Sequence, residues 1–146
     1  VKNPVNNRFA VLNTKFNKIT IYDESLKKMF ERNLGSDLEK LQSEGFTDFA
    51  ELKNYNLSVK SNEKYILGLT LGLTNGEIAS YDTKQLSEIK PLIYVWSWEG
   101  EPMAILKLDR PISKICLHSQ TSTIYGINPY VSDKIYIYEI PEINTN

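Results

Sequence analysis

The chain has 146 residues, 41% of them hydrophobic and 24% charged, with 17 basic and 18 acidic side chains and a net charge of −1. That is the length and composition of one ordinary globular domain, and the even charge balance offers nucleic acid no basic patch. The one cysteine, Cys116, excludes an internal disulfide and a multi-cysteine zinc site, and no apolar run approaches the roughly 20 residues of a membrane-spanning helix.

Residues 1–7 are polar and read as a loose end or the tail of a missing turn. Phe9 to Asn13, Lys18 to Tyr22 and Lys27 to Asn33 read as three strands separated by the turns Thr14–Asn17 and Asp23–Ser25. Ser36 and Glu39 form a capping box, Leu38 and Leu41 share a face, and Gly45 supplies a stop. Together they predict a short helix over 37–44. Phe46, Phe49 and Leu52 are expected to anchor the next segment to a core. Tyr55 to Val59 alternates weakly, whereas Lys64 to Leu73 is a clear strand. Gly68 and Gly72 inside it predict close backbone approach or a bulge. Residues 74–90 form the longest polar excursion, opening on the turn signal Thr74-Asn75-Gly76 and reading as loop with at most one helical turn.

From Pro91 to Ile140 the chain reads as five short strands. Tyr94, Trp96 and Trp98 alternate with Ile93, Val95 and Ser97, which puts the three aromatic rings on one face. Glu99-Gly100-Glu101-Pro102 reverses the chain; Gly100 can take positive φ, and Pro102 can start a strand but cannot sit inside a central one. Met103 to Leu108, Ile112 to His118, Ile124 to Asn128 and Lys134 to Ile140 complete the set. Their connections are short, so neighbouring strands are read as antiparallel hairpins. A strand apolar on both sides, such as Ile93 to Trp98, should be covered on both faces.

The strands group into units at about 8–33, 46–109 and 110–140, a spacing near the roughly 45 residues of a four-stranded propeller blade. In each unit a second strand (FAVLN, YILGL, IYGIN) precedes a third (KITIYD, LIYVWSW, KIYIYEI) that carries Tyr or Trp towards its end. The segments NEKYILGLTLG at 62–72, IYVWSWEGEPMAILKLDRPI at 93–112 and TIYGINPYVSDKIYIYEI at 123–140 resemble the uncharacterised TolB-like six-bladed β-propellers of Bacteroides-type bacteria. The resemblance covers most of residues 46–140 and, more loosely, 9–33.

The resemblance implies an all-β fold. Residues 1–146 would be a single domain, a partial propeller of about three four-stranded antiparallel blades, half of a six-bladed ring, with the helix near 37–44 as an insertion. It also implies an exported protein, periplasmic, anchored at the outer membrane or extracellular. A six-bladed ring needs about twice this length. The chain, which opens at Val1 without Met or a signal peptide, therefore reads as a C-terminal half. Half a ring would leave blade faces and strand edges open. The missing N-terminal half, or a second copy in a C2 pair of half rings, would cover them.

The family carries no catalytic motif to transfer, so no catalytic residue, metal ligand or cofactor is assigned. His118 is the only histidine, and nothing in the sequence places a carboxylate or a substrate pocket beside it. It reads as a hydrogen-bonded residue at a strand end, and Cys116 as a small buried core residue. Glu99 and Glu101 read as solvated turn residues, and Asp82, Asp109 and Asp133 match no metal-ligand spacing. Tyr94, Trp96 and Trp98 fit packing between blades better than a stacking platform, with Trp98, nearest the turn, expected to be the most exposed.

On a propeller the connections after second strands share one rim. Tyr81 and Tyr130 would decorate that rim, and they join Trp98 as the candidate ligand contacts. The function this supports is a non-catalytic binding module for a protein or carbohydrate ligand. The alternatives are part of a metal-dependent, lactonase-like hydrolase propeller, or a structural fragment with no activity of its own. The lactonase chemistry needs inward carboxylates, which the first strands Asn56 to Val59 and Ile112 to His118 supply sparsely.

Overall fold

The computed structural model describes residues 1–33, 48–129 and 133–141. The helix expected over 37–44, and Tyr130, lie outside them. Ten strands among these residues form three antiparallel sheets. The first holds β1 (Phe9–Leu12), β2 (Lys18–Tyr22) and β3 (Lys28–Asn33) in that order. The second, four-stranded, runs β4 (Ser58–Ser61), β5 (Tyr65–Thr70), β6 (Leu92–Ser97) and β7 (Pro102–Lys107). The third holds β8 (Lys114–Leu117), β9 (Thr123–Ile127) and β10 (Ile135–Glu139). The fold is mostly β, and among the described residues no sheet closes into a barrel.

Two expectations change. β7 and β8 do not form a hairpin, so the five strands of 91–140 divide between two sheets. The Leu108 amide bonds back to the Pro91 carbonyl at 3.0 Å, and a tight turn then brings the Ile112 amide to the Arg110 carbonyl at 2.9 Å. Pro111, within that turn, has no amide to continue a ladder. The excursion 74–90 is not loop but two helices, α1 (Asn75–Ser80) and α2 (Thr83–Glu88). Each opens on a reciprocal capping box, Thr74 with Glu77 and Asp82 with Gln85, which satisfies amides that a six-residue helix would otherwise leave bare.

The sheets repeat one another in register. In the second, Val59 pairs with Gly68 and Gly68 with Tyr94; in the third, Ile115 pairs with Gly126 and Gly126 with Tyr136. The pairs Leu12↔Ile19 and Ala10↔Ile21 of the first sheet correspond to Leu69↔Ile93 and Leu67↔Val95 of the second.

The turns repeat as well. Asn3 Oδ1 accepts from the amides of Val5 and Asn6 at 2.8 and 3.1 Å, and Asn62 Oδ1 from those of Lys64 and Tyr65 at 2.9 and 2.8 Å. His118 holds the same place in the third unit, its Nδ1 accepting from Gln120 and Thr121 at 3.3 and 3.2 Å. A ring nitrogen that accepts carries no proton, so these bonds put the imidazole proton on Nε2. The lone histidine is a turn residue, in a place filled elsewhere by asparagine.

The middle sheet is covered on both faces, as its two-sided apolar strands require. One face packs Ile66, Trp96 and Trp98 against Ala10, Leu12, Ile19 and Ile21 of the first sheet. The other packs Leu67, Leu69, Ile93 and Val95 against Ile115, Ile124 and Ile140 of the third, with Tyr136 and Tyr138 half-buried at its margin. Each fully buried aliphatic side chain contributes about 1.5–3 kcal/mol.

Glycine is required at the close approaches. A Cβ on Gly68 would stand 2.2 Å from Asn56 Oδ1 and 3.0 Å from Leu12 Cδ2, and one on Gly126 would stand 3.0 Å from Ile112. Asn56 and Ile112 each precede the first strand of a sheet by two residues and cross over the glycine. Gly72, the other glycine of the sequence expectation, makes no close approach and instead takes φ +71°.

Candidate functional site: the rim beside the two short helices

The connections after β1 and β5 meet on one side of the molecule. The Tyr55 amide donates to the Thr14 carbonyl at 2.9 Å, and the Asn75 amide to that of Leu52 at 3.0 Å. Lys15 ties these segments together. Its Nζ donates to Asn54 Oδ1 at 2.6 Å and to Asn75 Oδ1 at 2.7 Å, and it lies 5.2 Å from the centre of the Phe49 ring. Asn54 Nδ2 also reaches Asn75 Oδ1 at 2.9 Å. The cluster acts as a brace between the turn after β1 and the start of α1.

Further along the same rim, a cavity of about 260 Å³ opens between the helices and the segment leading into β8. Leu71, Ile78, Leu86, Ile89, Pro111 and Ile112 form its apolar wall; Thr83, Ser113 and Asn128 add polar atoms. The helices exist here because their capping boxes let a polar excursion turn Ile78 and Leu86 inward. The volume lies just below the roughly 300–1,000 Å³ of small-molecule pockets and suits one side chain or small ring. Sequence reasoning missed this site. Its wall comes from segments spread over residues 71–128, and its only local signal was the pair of capping boxes.

The sequence candidates do not converge on it. Tyr81 caps the C-terminus of α1, half-buried, with its amide on the Glu77 carbonyl at 3.0 Å; it belongs to the rim but not to the cavity wall. Trp98 corrects an expectation. It is 3% exposed rather than the most open of the three aromatics, because its indole Nε1 donates to the Asn62 carbonyl at 2.9 Å in the neighbouring hairpin turn. It also sits at the other end of the middle sheet, since Tyr65 pairs with Ser97 there while Thr70 pairs with Leu92 at the rim end. Tyr130 lies outside the described residues.

Cys116 also departs from expectation. It is exposed, on the face opposite Ile115 and Leu117. Glu99 and Glu101 are exposed turn residues, and each meets an arginine, Arg8 just before β1 at 3.1 Å and Arg32 in β3 at 2.9 Å. Such surface pairs contribute little to stability. Asp82 is a helix cap, and Asp109 accepts from the Tyr138 hydroxyl at 3.0 Å. Among the described residues no three His, Cys, Asp or Glu side chains are grouped to hold a metal ion.

Tyr138 is the strongly perturbed acid. Burial first, then its hydrogen bond to the Asp109 carboxylate, pushes it up to about 12 from 10.0. A folded-state pKa above the unfolded one gives stability that is complete below pH 10 and is lost as pH rises towards 12, because only the unfolded chain releases this proton in that window. Melting temperatures measured across pH 9–12 should therefore fall more steeply in the parent than in Tyr138→Phe. Parallel curves would show that the hydroxyl is not held as described.

No protein-family model and no curated protein matches the chain.

Proposed function

We propose that the three sheets are successive blades of a propeller of the TolB-like kind, and that the chain is a binding module acting at its rim without chemistry of its own. The position of the cavity carries this reading. It lies where the excursion after a second strand meets the lead-in to the next sheet, where a rim ligand would touch two units at once. The blade reading draws support from the first strands. Lys2 bridges to Phe9 of β1 and accepts at its carbonyl from Ser61 Oγ at 3.1 Å, and the Ile115 amide donates to Ser58 Oγ at 3.4 Å, so β4 lies between the segment that precedes β1 and its counterpart β8.

The lining selects the ligand class. Apolar aliphatic side chains dominate it, and among the described residues no aromatic ring contributes, whereas sugar recognition leans on ring faces. An aliphatic or aromatic side chain of a partner protein fits best. On the family resemblance, the encounter takes place in the periplasm or at the outer surface.

Titrating methyl-labelled protein with short peptides bearing Leu, Ile or Phe tests this. The Ile78, Ile89 and Ile112 methyl signals should move, and Ser113→Phe, which fills the cavity, should abolish the response while keeping the fold. Unmoved methyls, or shifts that survive Ser113→Phe, would overturn the reading.

A further inference from the structure

The two ends of the stack each leave one sheet face without a neighbouring sheet among the described residues. Twice in the chain, one set of positions is buried by the next sheet. Ala10, Leu12, Ile19 and Ile21 lie beneath the face of the second sheet that carries Ile66 and Trp96, and Leu67, Leu69, Ile93 and Val95 lie beneath that of the third, which carries Ile124, Tyr136 and Tyr138. The ladder registers give the counterparts of that set in the third sheet as Tyr125, Ile127, Ile135 and Ile137. Among the described residues none packs on top of them: Ile135 is 66% exposed, Ile137 64%, and Tyr125 and Ile127 are exposed beside Cys116. A contiguous apolar ladder on one sheet face marks an interaction surface.

The first sheet ends the stack the other way. By register, Phe9, Val11, Thr20 and Tyr22 occupy the covering positions that Ile66, Gly68, Tyr94 and Trp96 fill in the second sheet. Val11 is 56% exposed, and Phe9 and Tyr22 are half-buried. Val11 stands where the other sheets carry Gly68 and Gly126.

We infer that the outer face of the third sheet docks on the outer face of the first sheet in a second copy of this chain, head to tail, repeating between molecules the packing found twice within one. The inference does not depend on the rim cavity. When both junctions form at once, the pair closes around a two-fold axis.

Sedimentation equilibrium of the full chain tests it. The expected species has twice the 16.8 kDa chain mass. Ile137→Asp and Val11→Asp should each weaken association at least about tenfold. Both sites are exposed in the single chain, so circular dichroism and melting temperature should stay near the parent's. Mixing Ile137→Asp with Val11→Lys should restore pairing, since one junction is then unaltered on both sides and the other sets opposite charges together. A parent chain that stays monomeric at about 100 μM, a Val11→Asp protein that dimerises like the parent, or a mixture that does not pair would each overturn the proposal.

Discussion

Trp96→Ala is expected to remove about 3–5 kcal/mol of unfolding free energy, a large share of the roughly 5–15 kcal/mol that a domain possesses. Trp96 is 1% exposed and is the largest fully buried side chain among the described residues. It lies between Ile66 and Trp98 on the face that meets Ala10, Leu12, Ile19 and Ile21, so the void would open between two sheets. Polar bonding does not account for its value, because the indole Nε1 is buried without an acceptor. Trp96→Phe should therefore cost less than its lost volume alone implies, since it also deletes an unmet donor. Urea unfolding, followed by the fluorescence of Trp98, measures both variants. A loss below about 1 kcal/mol for the alanine variant would mean that the junction between the first two sheets is not a true core.

Gly100→Ala is expected to cost about 2–5 kcal/mol, as the sum of two separable effects. The residue turns the chain from β6 into β7 at φ +82°, in the left-handed region that a Cβ disfavours by about 1–2 kcal/mol. An added Cβ would also stand 2.1 Å from the Phe30 ring, which lies across this turn from the first sheet. Gly72→Ala is the internal control. Its φ of +71° is similar, yet nothing lies within 4 Å of the added atom, so only the backbone share should appear. Thermal or urea unfolding of Gly100→Ala, Phe30→Ala and the double variant isolates the ring contact as a coupling energy. Equal costs for the two glycine variants would remove the Phe30 contact from the account.

Much of the strand pattern was legible because period two is a local signal. KITIY and IYIYE alternate so strictly that β2 and β10 follow from the residues alone, and Pro102 marks the start of β7. Local signals also existed where the reading fell short: Thr74 with Glu77 and Asp82 with Gln85 spell out two helix starts inside a stretch taken as loop. Other features were not legible in principle. Alternation puts Cys116 opposite Ile115 and Leu117, but whether the face it joins is covered depends on what lies beside that sheet. Proximity to a turn suggested that Trp98 was open to solvent, and only a contact 36 residues away in sequence, with Asn62, buries it. The rim cavity belongs to the same class, since its wall forms only after separate units have packed.

Among the described residues the core is two clusters, one on each face of the middle sheet, with β5 and β6 as the partition between them. A party wall of this kind ties the fates of both rooms to itself. Loosening at either outer sheet can be absorbed locally, whereas opening the β5–β6 ladder strips the lining from both clusters in one event. Sequence drift is accordingly dearest at Ile66, Leu67, Val95 and Trp96, which look alternately into one cluster and the other.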